Sequence, residues 1–530
     1  MRRVQKHSRE SFMGGRRGQA TGRQWKQVSS RMKGFVGRIS VSGFVLALCI
    51  FSLWSRLFGH MVNKQSQIDV DLLWTSSPSF GWRASSYPRS PDWLLPSGKR
   101  NGYMLVRCNG GLNQQRVAIC NAVLVARIMN AALVLPELDS SSFWNDINGF
   151  SGIYDVEHFI QSLKYDVKVV KALPSFYVSG NKTKRLKPFQ LQPPRDASPS
   201  WYKTVALEKL KEHGAVYLAP FSHRLAEELE NHEYQRLRCR VNFHALRFKE
   251  DVIDLGSKIV QRLRSEGNFL AMHLRFEMDM LAFSGCLDIF TPAEQELLKE
   301  YRQQNFAVRR LVHNGRRLIG KCPLTPEEVG LILHSMGFSN SSQIYLASGD
   351  LFGGERFLQK LLALFPRLEN RSTILKAEEL ATINAEGRAS LGPAVDYTVS
   401  LLADIFMPNY DGPSDFANNL LGHRLYYGFR TTIRPDRKAL APILMEHEKG
   451  NIKDFEQNVR TVMRNTWFGG PRPRIPPEPF FVNPWPECFC KPQSENPADE
   501  CPSSSIMDLF HNQQVSNQHE EIETSRERAA

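Results

Sequence analysis

The sequence predicts an α/β protein with two doubly wound, Rossmann-type lobes and an N-terminal transmembrane signal anchor. Short apolar runs alternate with amphipathic segments from residue 102 onward, which is the pattern of parallel-sheet folds. A charged, helix-like stretch at residues 225–265 is suited to joining two sheets. With 42% hydrophobic residues, the 530-residue chain has enough apolar side chains for two cores.

Six segments follow from these patterns. They are a basic cytosolic tail at 1–38, a signal anchor at 39–58, a stem at 59–98, an N-terminal lobe at 99–255, a C-terminal lobe at 256–475 and a Pro-rich, disordered tail at 476–530. The stem is rich in Ser, Pro and Trp without a period, and the end of the chain is polar.

The first strand–helix unit is the clearest. Residues 102–108 predict a strand, residues 109–111 a tight turn, residues 112–130 a helix and residues 131–138 the next strand. Further strands are predicted at 215–220, 269–277, 343–348 and 372–376.

Two helices between these strands are also predicted. Thr325 and Glu328 indicate a capping box for a helix over residues 326–336, which Gly337 ends. A second helix is predicted over residues 355–365. Both lie between predicted strands, as the crossover connections of a parallel sheet require.

The net charge of +14 is concentrated at the N-terminus. Residues 1–38 hold eleven Lys and Arg and one acid, a net charge of +10, which leaves +4 for the remaining 492 residues. Nucleic-acid binding needs a basic face on the folded part of a protein, so this distribution argues against it.

Sixteen residues without a charge, 39–54, follow the basic tail directly. In a helix they would rise about 24 Å, enough for a thin bilayer when flanking residues contribute. A cleaved signal peptide is the alternative, but the apolar run starts late and no small-x-small cleavage site follows it. Basic residues before the span predict a cytosolic N-terminus and a luminal body, and the short span favours a thin membrane early in the secretory pathway, so a type II protein of the Golgi membrane is expected.

Two further features agree with a luminal body. Asn181, Asn340 and Asn370 begin N-glycosylation sequons. Eight cysteines follow the predicted anchor, and an oxidising lumen allows disulfides among them, although spacing does not reveal their pairing. The C-x-C at residues 488–490, without a second pair or a nearby His, is weak support for zinc.

A polar, glycine-rich turn joins the first strand to its helix. Gly110 and Gly111 let backbone N–H groups approach a ligand, and the helix start favours an anion. Asn113 begins the polar run Asn-Gln-Gln-Arg, which is suited to gripping a sugar or a phosphate at the carboxyl edge of a sheet. The alternative is a plain strand–helix turn without a ligand.

His273, Arg275 and Glu277 lie in the second half of a predicted strand. Alternation places these three side chains on one face, which is costly in a core unless they are paired. At the carboxyl end of the strand they would face a cleft, where an arginine fork suits a diphosphate. The alternative is a structural Arg–Glu pair that holds the strand end.

Two later segments are candidates for binding a nucleotide. Asp350 follows a predicted strand, so it could accept hydrogen bonds from a ribose or a base, or simply cap a helix. Ser414 and Asp415 are predicted to cap another helix and to offer its N-terminus to a phosphate.

Two acidic motifs in the sequence are candidates for a metal site. Many sugar-nucleotide enzymes hold Mn²⁺ or Mg²⁺ through an Asp-x-Asp at a strand end. The Asp-Val-Asp at 69–71 lies in the predicted stem, and the Glu-Met-Asp at 277–279 matches imperfectly. The expectation is therefore chemistry without a metal or cofactor, in which Arg275 and helix dipoles offset the charge of a leaving diphosphate.

Five runs, in order, resemble the plant O-fucosyltransferase family: RCNGGLNQQR, CRVNFHALRF, MHLRFEMDMLAFSGC, YLASGDLFGGE and DYTVSLLADIFMPNYDGPSDFANNLLGHR. The matches span about residues 100–490, and the predicted anchor and stem also fit. The resemblance implies a two-lobed GT-B fold whose C-terminal lobe binds a sugar nucleotide, and activity without an essential metal.

The resemblance also implies roles for individual residues. Arg275 would contact the diphosphate, and Asn113 would lie beside the reacting oxygen. His273 and Glu277 are the titratable candidates for catalysis. The residues implied in binding the sugar nucleotide are Gly110, Gly111, His273, Leu274, Arg275, Asp350, Ser414, Asp415 and Phe416.

The implied reaction is an inverting transfer of a 6-deoxyhexose, fucose from GDP-fucose, to a hydroxyl of a protein or glycan acceptor in the Golgi lumen. The motifs do not separate GDP from UDP, so a UDP-rhamnose-dependent pectin rhamnosyltransferase is the alternative. A glycan-binding or scaffold protein of the same fold without turnover is a further alternative. The expected partners are the sugar nucleotide, the acceptor and a membrane, but no nucleic acid.

Overall fold

The computed structural model describes residues 68–503, apart from 90–92, 94, 96–98, 140–148, 179–181, 228, 230, 308–310, 312–314, 411–414, 452 and 476–477. The predicted tail at 1–38, the anchor at 39–58, Asn181 and Ser414 lie outside the described residues. Among the residues described, none of the helices combines the length and the apolarity that a membrane crossing needs.

Two parallel sheets organise the described chain and confirm the predicted α/β class. The strands are β1 (Arg83–Ala84), β2 (Tyr103–Cys108), β3 (Ala132–Val134), β4 (Glu137–Leu138), β5 (Val169–Val170), β6 (Ser175–Val178), β7 (Lys182–Arg185), β8 (Phe189–Leu191), β9 (Ala215–Leu218), β10 (Phe269–His273), β11 (Gln343–Ala347), β12 (Leu368–Glu369), β13 (Ile405–Pro408) and β14 (Phe489–Cys490). The first sheet has the order β5-β3-β2-β9-β8, with β4 also paired to β2. The second has the order β12-β11-β10-β13.

Helices connect these strands, as parallel pairing requires. They are α1 (Val70–Leu73), α2 (Leu112–Met129), α3 (Gly149–Ile153), α4 (Val156–Ser162), α5 (Pro199–Trp201), α6 (Leu207–His213), α7 (His232–Arg240), α8 (Glu250–Arg264), α9 (Met278–Ser284), α10 (Pro292–Phe306), α11 (Pro326–Met336), α12 (Glu355–Leu364), α13 (Arg371–Ile374), α14 (Ala377–Ile383), α15 (Leu391–Leu402), α16 (Asp415–Tyr426), α17 (Arg437–Glu448) and α18 (Phe455–Arg464). Two π-helical turns, Tyr202–Ala206 and Val241–Ala245, and a 3₁₀ turn at Pro497–Asp499 complete the described set.

The predicted unit at residues 102–130 is confirmed as β2 and α2, and the capping box of α11 is present with Gly337 in the left-handed conformation at its end. Two strand predictions differ from the structure. The strand over 269–277 is present but ends at His273, and Glu277 is the N-cap of α9. The segment 372–376 is helical, because the Asn370 side chain caps α13 by accepting from two backbone N–H groups.

The second sheet is buried on both faces, which explains its continuous apolar strands. Phe269 and Ala271 of β10 point into a core that also contains Met104 of the first sheet, whereas Leu270 and Met272 point into a second core. The two sheets therefore share one core, and the second sheet has a further core on its other face. Accordingly, the boundary predicted at residue 255 falls inside helix α8.

The predicted stem and tail are folded where they are described. Ile68 and Leu73 pack into the second core, and β1 pairs antiparallel with β14. In the tail, Phe480 and Phe489 are buried in an apolar cluster. Predicting a disordered segment from 476 onward was wrong up to residue 503, because these aromatic side chains find a partner surface on another part of the chain.

Three disulfides are formed among the described cysteines: Cys239–Cys488, Cys286–Cys322 and Cys490–Cys501. The first joins helix α7 to the C-terminal segment over a sequence separation of 249 residues. Cys108 and Cys120 are buried thiols, and burial raises the pKa of each. Both C-x-C cysteines at 488–490 are thus in disulfides.

Candidate active site

Asn409 ties the carboxyl ends of β10 and β13 together. Its N–H donates to the His273 carbonyl at 3.0 Å, and its Oδ1 accepts from the Arg275 N–H at 2.7 Å. Its Nδ2 donates to the Leu324 carbonyl at 2.8 Å. Since Asn409 is only 1% exposed, these bonds form in a dry environment and hold the backbone after β10 in one conformation.

Arg275 lies in an ion-pair cluster after the end of β10. Its Nη1 donates to Glu277 Oε2 at 2.5 Å and to Asp279 Oδ1 at 2.9 Å, and its Nη2 donates to Asp279 Oδ2 at 2.6 Å. Burial alone would lower the pKa of Arg275, but the two carboxylates outweigh burial and raise this pKa above its usual value. The Arg–Glu pair of the structural alternative is therefore present, and Asp279 joins it.

This cluster leaves part of the guanidinium for a ligand. Arginine carries five N–H donors in one plane. Among the described residues, the bonds to Glu277 and Asp279 use both Nη1 hydrogens and one Nη2 hydrogen of Arg275. Nε–H and the second Nη2 hydrogen form a parallel fork on the other edge, a geometry that matches two phosphate oxygens. Carboxylate pairing and phosphate binding are thus compatible.

Glu277 also reaches the loop after β11, where its Oε1 accepts from the Gly349 N–H at 3.3 Å. That loop contains the exposed Asp350 and lines a cavity of about 340 Å³. The residues that complete the cavity wall are Leu346, Ser348, Leu351, Gly354, Glu355, Leu358, Asn370, Arg371 and Ser372. Asp350 is therefore placed beside a concave space at the carboxyl edge of the second sheet.

Arg371 in the wall of this cavity is held by a buried carboxylate. Arg371 pairs with the buried Asp396, which also accepts from the Tyr345 hydroxyl at 2.7 Å. Burial raises the pKa of Asp396, and Arg371 opposes that rise.

Two predicted glycosylation sites lie in the described part of the chain. Asn370 caps α13 with its side chain and lines the cavity, and Asn340 is exposed. Glycosylation at both positions stays a prediction.

Helix α2 starts at the predicted glycine-rich turn. Gly110 has a φ of +95°, and a Cβ there would lie 2.1 Å from Gln114 Oε1, so this position requires glycine. Gly111 is the N-cap and donates its N–H to Gln114 Oε1 at 3.2 Å. Gln115 Nε2 donates to the Gly110 carbonyl at 2.6 Å. The polar run therefore first builds its own turn.

Asn113 is the exception in that run. Its side chain is 7% exposed, and its Oδ1 has no hydrogen-bond partner among the described residues. A buried acceptor without a partner costs about 1–3 kcal/mol, so a site that supplies a donor here is favoured. The Asn113 carbonyl accepts from Asn419 Nδ2 of helix α16 at 3.4 Å.

The start of α16 meets the start of α2 at this point. Burial raises the pKa of Asp415, and a hydrogen bond from the Gln114 side chain opposes that rise. His223 and Arg275 lie close enough to Asp415 to lower its pKa further, whereas Glu227 raises it. Groups from the start of α2, from the Arg275 cluster and from the loop after β9 therefore all act on the Asp415 carboxylate.

His273 is held flat against the start of α16. Its ring stacks on Phe416 with centroids 4.4 Å apart, and its Nδ1 shares a hydrogen bond with the Ala347 carbonyl at 2.8 Å. Burial and, to a smaller extent, the nearby Arg275 lower the pKa of His273 to about 4, against the opposing effect of the Ala347 hydrogen bond. The imidazole is therefore neutral near pH 7, with its Nδ1 carrying the proton.

The structure brings most predicted site residues together. His273, Arg275, Glu277 and Asp415 share one edge, and Gly349 links Asp350 to Glu277. Leu274, in contrast, is fully buried with its side chain in the second core, so it offers a ligand no exposed surface. In the described part of the chain, no three His, Cys, Asp or Glu side chains are grouped to hold a metal ion, and metal-free chemistry stays a prediction.

Sequence reasoning missed Asn409, Asn419, Asn242, His223 and Glu227. Each of these residues follows a strand or lies in a polar stretch of an otherwise apolar run. Buried asparagines in such runs are a usable signal, because an amide is retained in a core only where it has partners.

Comparison with known proteins shows the family of this chain. The family model described as GDP-fucose protein O-fucosyltransferase matches residues 103–427. O-fucosyltransferase 1 of Arabidopsis thaliana is 60% identical over 481 residues, covering 90% of this chain and 92% of that protein. Rhamnogalacturonan I rhamnosyltransferase 1 of the same plant is 40% identical over 489 residues, covering 87% and 93%. A crystal structure of POFUT1 in complex with GDP has a TM-score of 0.41 at 15% identity, covering 64% of this chain and 99% of that chain.

The family model and the plant relatives show that this two-sheet α/β protein is a glycosyltransferase. The chain is a member of the GDP-fucose protein O-fucosyltransferase family, since the family model spans most of its folded part and the relatives match nearly its full length.

Proposed function

We propose that this enzyme has a GT-B-like arrangement and transfers fucose from GDP-fucose, with inversion, to a hydroxyl of a protein or glycan acceptor. The observation that carries the proposal is Arg275, which is held by Glu277 and Asp279 while keeping a second fork, and which lies near Asp415 at the start of α16. A sugar nucleotide suits this arrangement because its diphosphate gains negative charge as the sugar leaves.

In the proposed step, the acceptor oxygen forms a bond to the anomeric carbon while the bond from that carbon to the diphosphate breaks. The electron pair stays on the diphosphate oxygen, where the Arg275 fork stabilises it. The buried Asn113 Oδ1 is suited to accepting a hydrogen bond from the attacking hydroxyl and so to orienting it. Since His273 has a pKa of about 4, it is a weak base, and the hydroxyl proton passes to solvent once the new bond has formed.

The nucleotide base is assigned to the cavity beside Asp350. Its volume of about 340 Å³ lies at the lower end of small-molecule sites, which suits one part of a ligand that extends to Arg275. Asp350 can accept hydrogen bonds from the N–H groups of a base, and Asn370 and Arg371 complete the wall.

Metal-free transfer is part of the proposal. Glu277 and Asp279, the carboxylates that a divalent cation would use, are both already paired with Arg275. A cation would have to displace the guanidinium from both of them. In this arrangement the arginine supplies the positive charge that a metal ion supplies elsewhere.

The donor is assigned as GDP-fucose because the relative named O-fucosyltransferase 1 is 60% identical. A UDP-rhamnose donor is the alternative, because relatives named rhamnogalacturonan I rhamnosyltransferase reach 40%. For location, we propose a type II Golgi membrane protein, since the basic run at 1–38 precedes the apolar run at 39–54. Protease protection of a C-terminal tag on the full chain in intact vesicles tests that orientation.

One experiment distinguishes fucosyl transfer, rhamnosyl transfer and non-catalytic glycan binding. The full chain in detergent is heated with GDP, UDP, GDP-fucose or UDP-rhamnose, and nucleotide release is measured with protein and glycan acceptors. Stabilisation by GDP and GDP-fucose, with acceptor-dependent release of GDP, is the expected result. Stabilisation by UDP alone would establish the rhamnosyl alternative. Binding of GDP-fucose without GDP release in the presence of any acceptor would establish a non-catalytic glycan-binding protein.

A further inference from the structure

A chain of buried amide hydrogen bonds connects the first turns of α2 and α16. Arg116 Nε donates to Asn242 Oδ1 at 2.9 Å, and Asn242 Nδ2 donates to Asn419 Oδ1 at 3.2 Å. Asn419 Nδ2 then donates to the Asn113 carbonyl at 3.4 Å and to the Asp415 carbonyl at 2.8 Å. Arg116, Asn242 and Asn419 are each no more than 1% exposed.

The direction of this chain is determined at both ends. A guanidinium only donates, so Arg116 must face the oxygen of Asn242, which turns the Asn242 amino group towards Asn419. Backbone carbonyls only accept, so Asn419 must turn its own amino group towards Asn113 and Asp415. Both requirements give the same orientation of the two amides, and reversing either amide would bring two acceptors together.

The chain joins three parts of the fold that are distant in sequence. Arg116 belongs to α2 after the first sheet, Asn242 to the π-helical turn Val241–Ala245, and Asn419 to α16 after the second sheet. Moving the two helix starts apart would leave buried amide groups unpaired, at about 1–3 kcal/mol for each group. The chain therefore resists changes in the spacing of Asn113 and Asp415.

We infer that Asn242 and Asn419 are positioning residues for the transfer step. They hold the acceptor-side Asn113 at a set distance from Asp415 and Arg275 on the donor side. This inference rests on the proposed function, because it assigns the acceptor to one helix start and the donor to the other. A misplacement of about 1 Å at a reacting centre costs on the order of 100-fold in rate, so such a clamp has a measurable effect.

Two aspartate variants test the inference with minimal change of shape. Asn242→Asp keeps an oxygen for Arg116 but removes the donor to Asn419, and Asn419→Asp removes the donor to both carbonyls. Asn483→Asp is the matched control, since Asn483 is 0% exposed and bonds to Arg472 and Trp485, outside this chain. We expect kcat to fall on the order of 100-fold in both test variants, with the KM for GDP-fucose within about threefold of wild type.

A second measurement does not depend on turnover. Hydrogen exchange is followed with and without GDP, and wild type is expected to show protection at the starts of both α2 and α16. In both test variants the protection at α2 is expected to be lost while that at α16 remains. Should the Asn419 variant not fold, Asn242→Asp decides the question, since its bond to Arg116 is retained.

The outcomes separate the two claims. A wild type that releases no nucleotide from any donor refutes the proposed function, and the exchange data then decide on the clamp alone, with UDP as the probe if only UDP stabilises the protein. Unchanged kcat in both variants, or equal GDP protection of α2 in wild type and variants, overturns the positioning role. An equal loss of kcat in Asn483→Asp overturns it too, because the effect would then be general destabilisation.

Discussion

Replacing Arg275 with alanine has two consequences at once. The fork that is proposed to bind the diphosphate disappears. In addition, the Glu277 and Asp279 side chains, 23% and 31% exposed, lose the positive charge with which both are paired. Both effects weaken catalysis, so a single variant does not show which one matters.

The two effects are similar in size. Loss of one preorganised donor to a developing negative charge costs about 2.7–4 kcal/mol, or roughly 10²–10³ in kcat, and Arg275 offers two donors. A carboxylate about 5 Å from a phosphate, at an effective dielectric constant near 20, repels it by about 3 kcal/mol. The repulsion acts mainly on the bound donor before reaction, so it raises the KM, whereas loss of the fork weakens donor binding and lowers kcat as well.

A triple variant separates them. Arg275→Ala is compared with Arg275→Ala/Glu277→Gln/Asp279→Asn, in which glutamine can still accept from the Gly349 N–H. We expect kcat to fall by about 10³ in both, and the KM for GDP-fucose to rise more in the single variant than in the triple variant. Arg356→Ala is the control, because this exposed arginine pairs with Glu294 on the surface. Wild-type kcat in either variant would refute the role of the guanidinium.

Three further predictions concern stability and metal dependence. His273 has a folded pKa of about 4 against about 6.5 in the unfolded chain, so the folded state binds fewer protons and the free energy of unfolding falls as the pH drops from 6.5 towards 4. In urea titrations, His273→Gln should reduce this fall, which amounts to about 3 kcal/mol at most. Arg424 is fully buried and donates to several backbone carbonyls, so Arg424→Leu should lower the free energy of unfolding, measured in urea, by about 3 kcal/mol or more. Arg430 is half-buried, so Arg430→Leu should lower it by less. Transfer should continue in EDTA, and a loss of activity that Mn²⁺ restores would identify Glu277 and Asp279 as metal ligands.

Local signals determined a large part of the fold. The capping box of α11 and the glycine turn before α2 depend on residues within a few positions of each other, so the sequence is sufficient to predict them. The approximate site was also predictable, because residues that follow parallel strands meet at one edge of the sheet. That rule predicts Arg275 and Asp350 at the same edge, where Glu277 accepts from the Gly349 N–H.

Tertiary structure alone decided which polar groups are partners. The pairing of Arg275 with Asp279, the tie at Asn409, the amide chain through Asn419 and the disulfide Cys239–Cys488 all join groups whose meeting the local pattern does not reveal. The same holds for the tail, whose aromatic side chains became part of a core once another surface covered them. Periodicity shows which face of an element is apolar, but a buried hydrogen bond depends on the position and orientation of a second group from a distant segment.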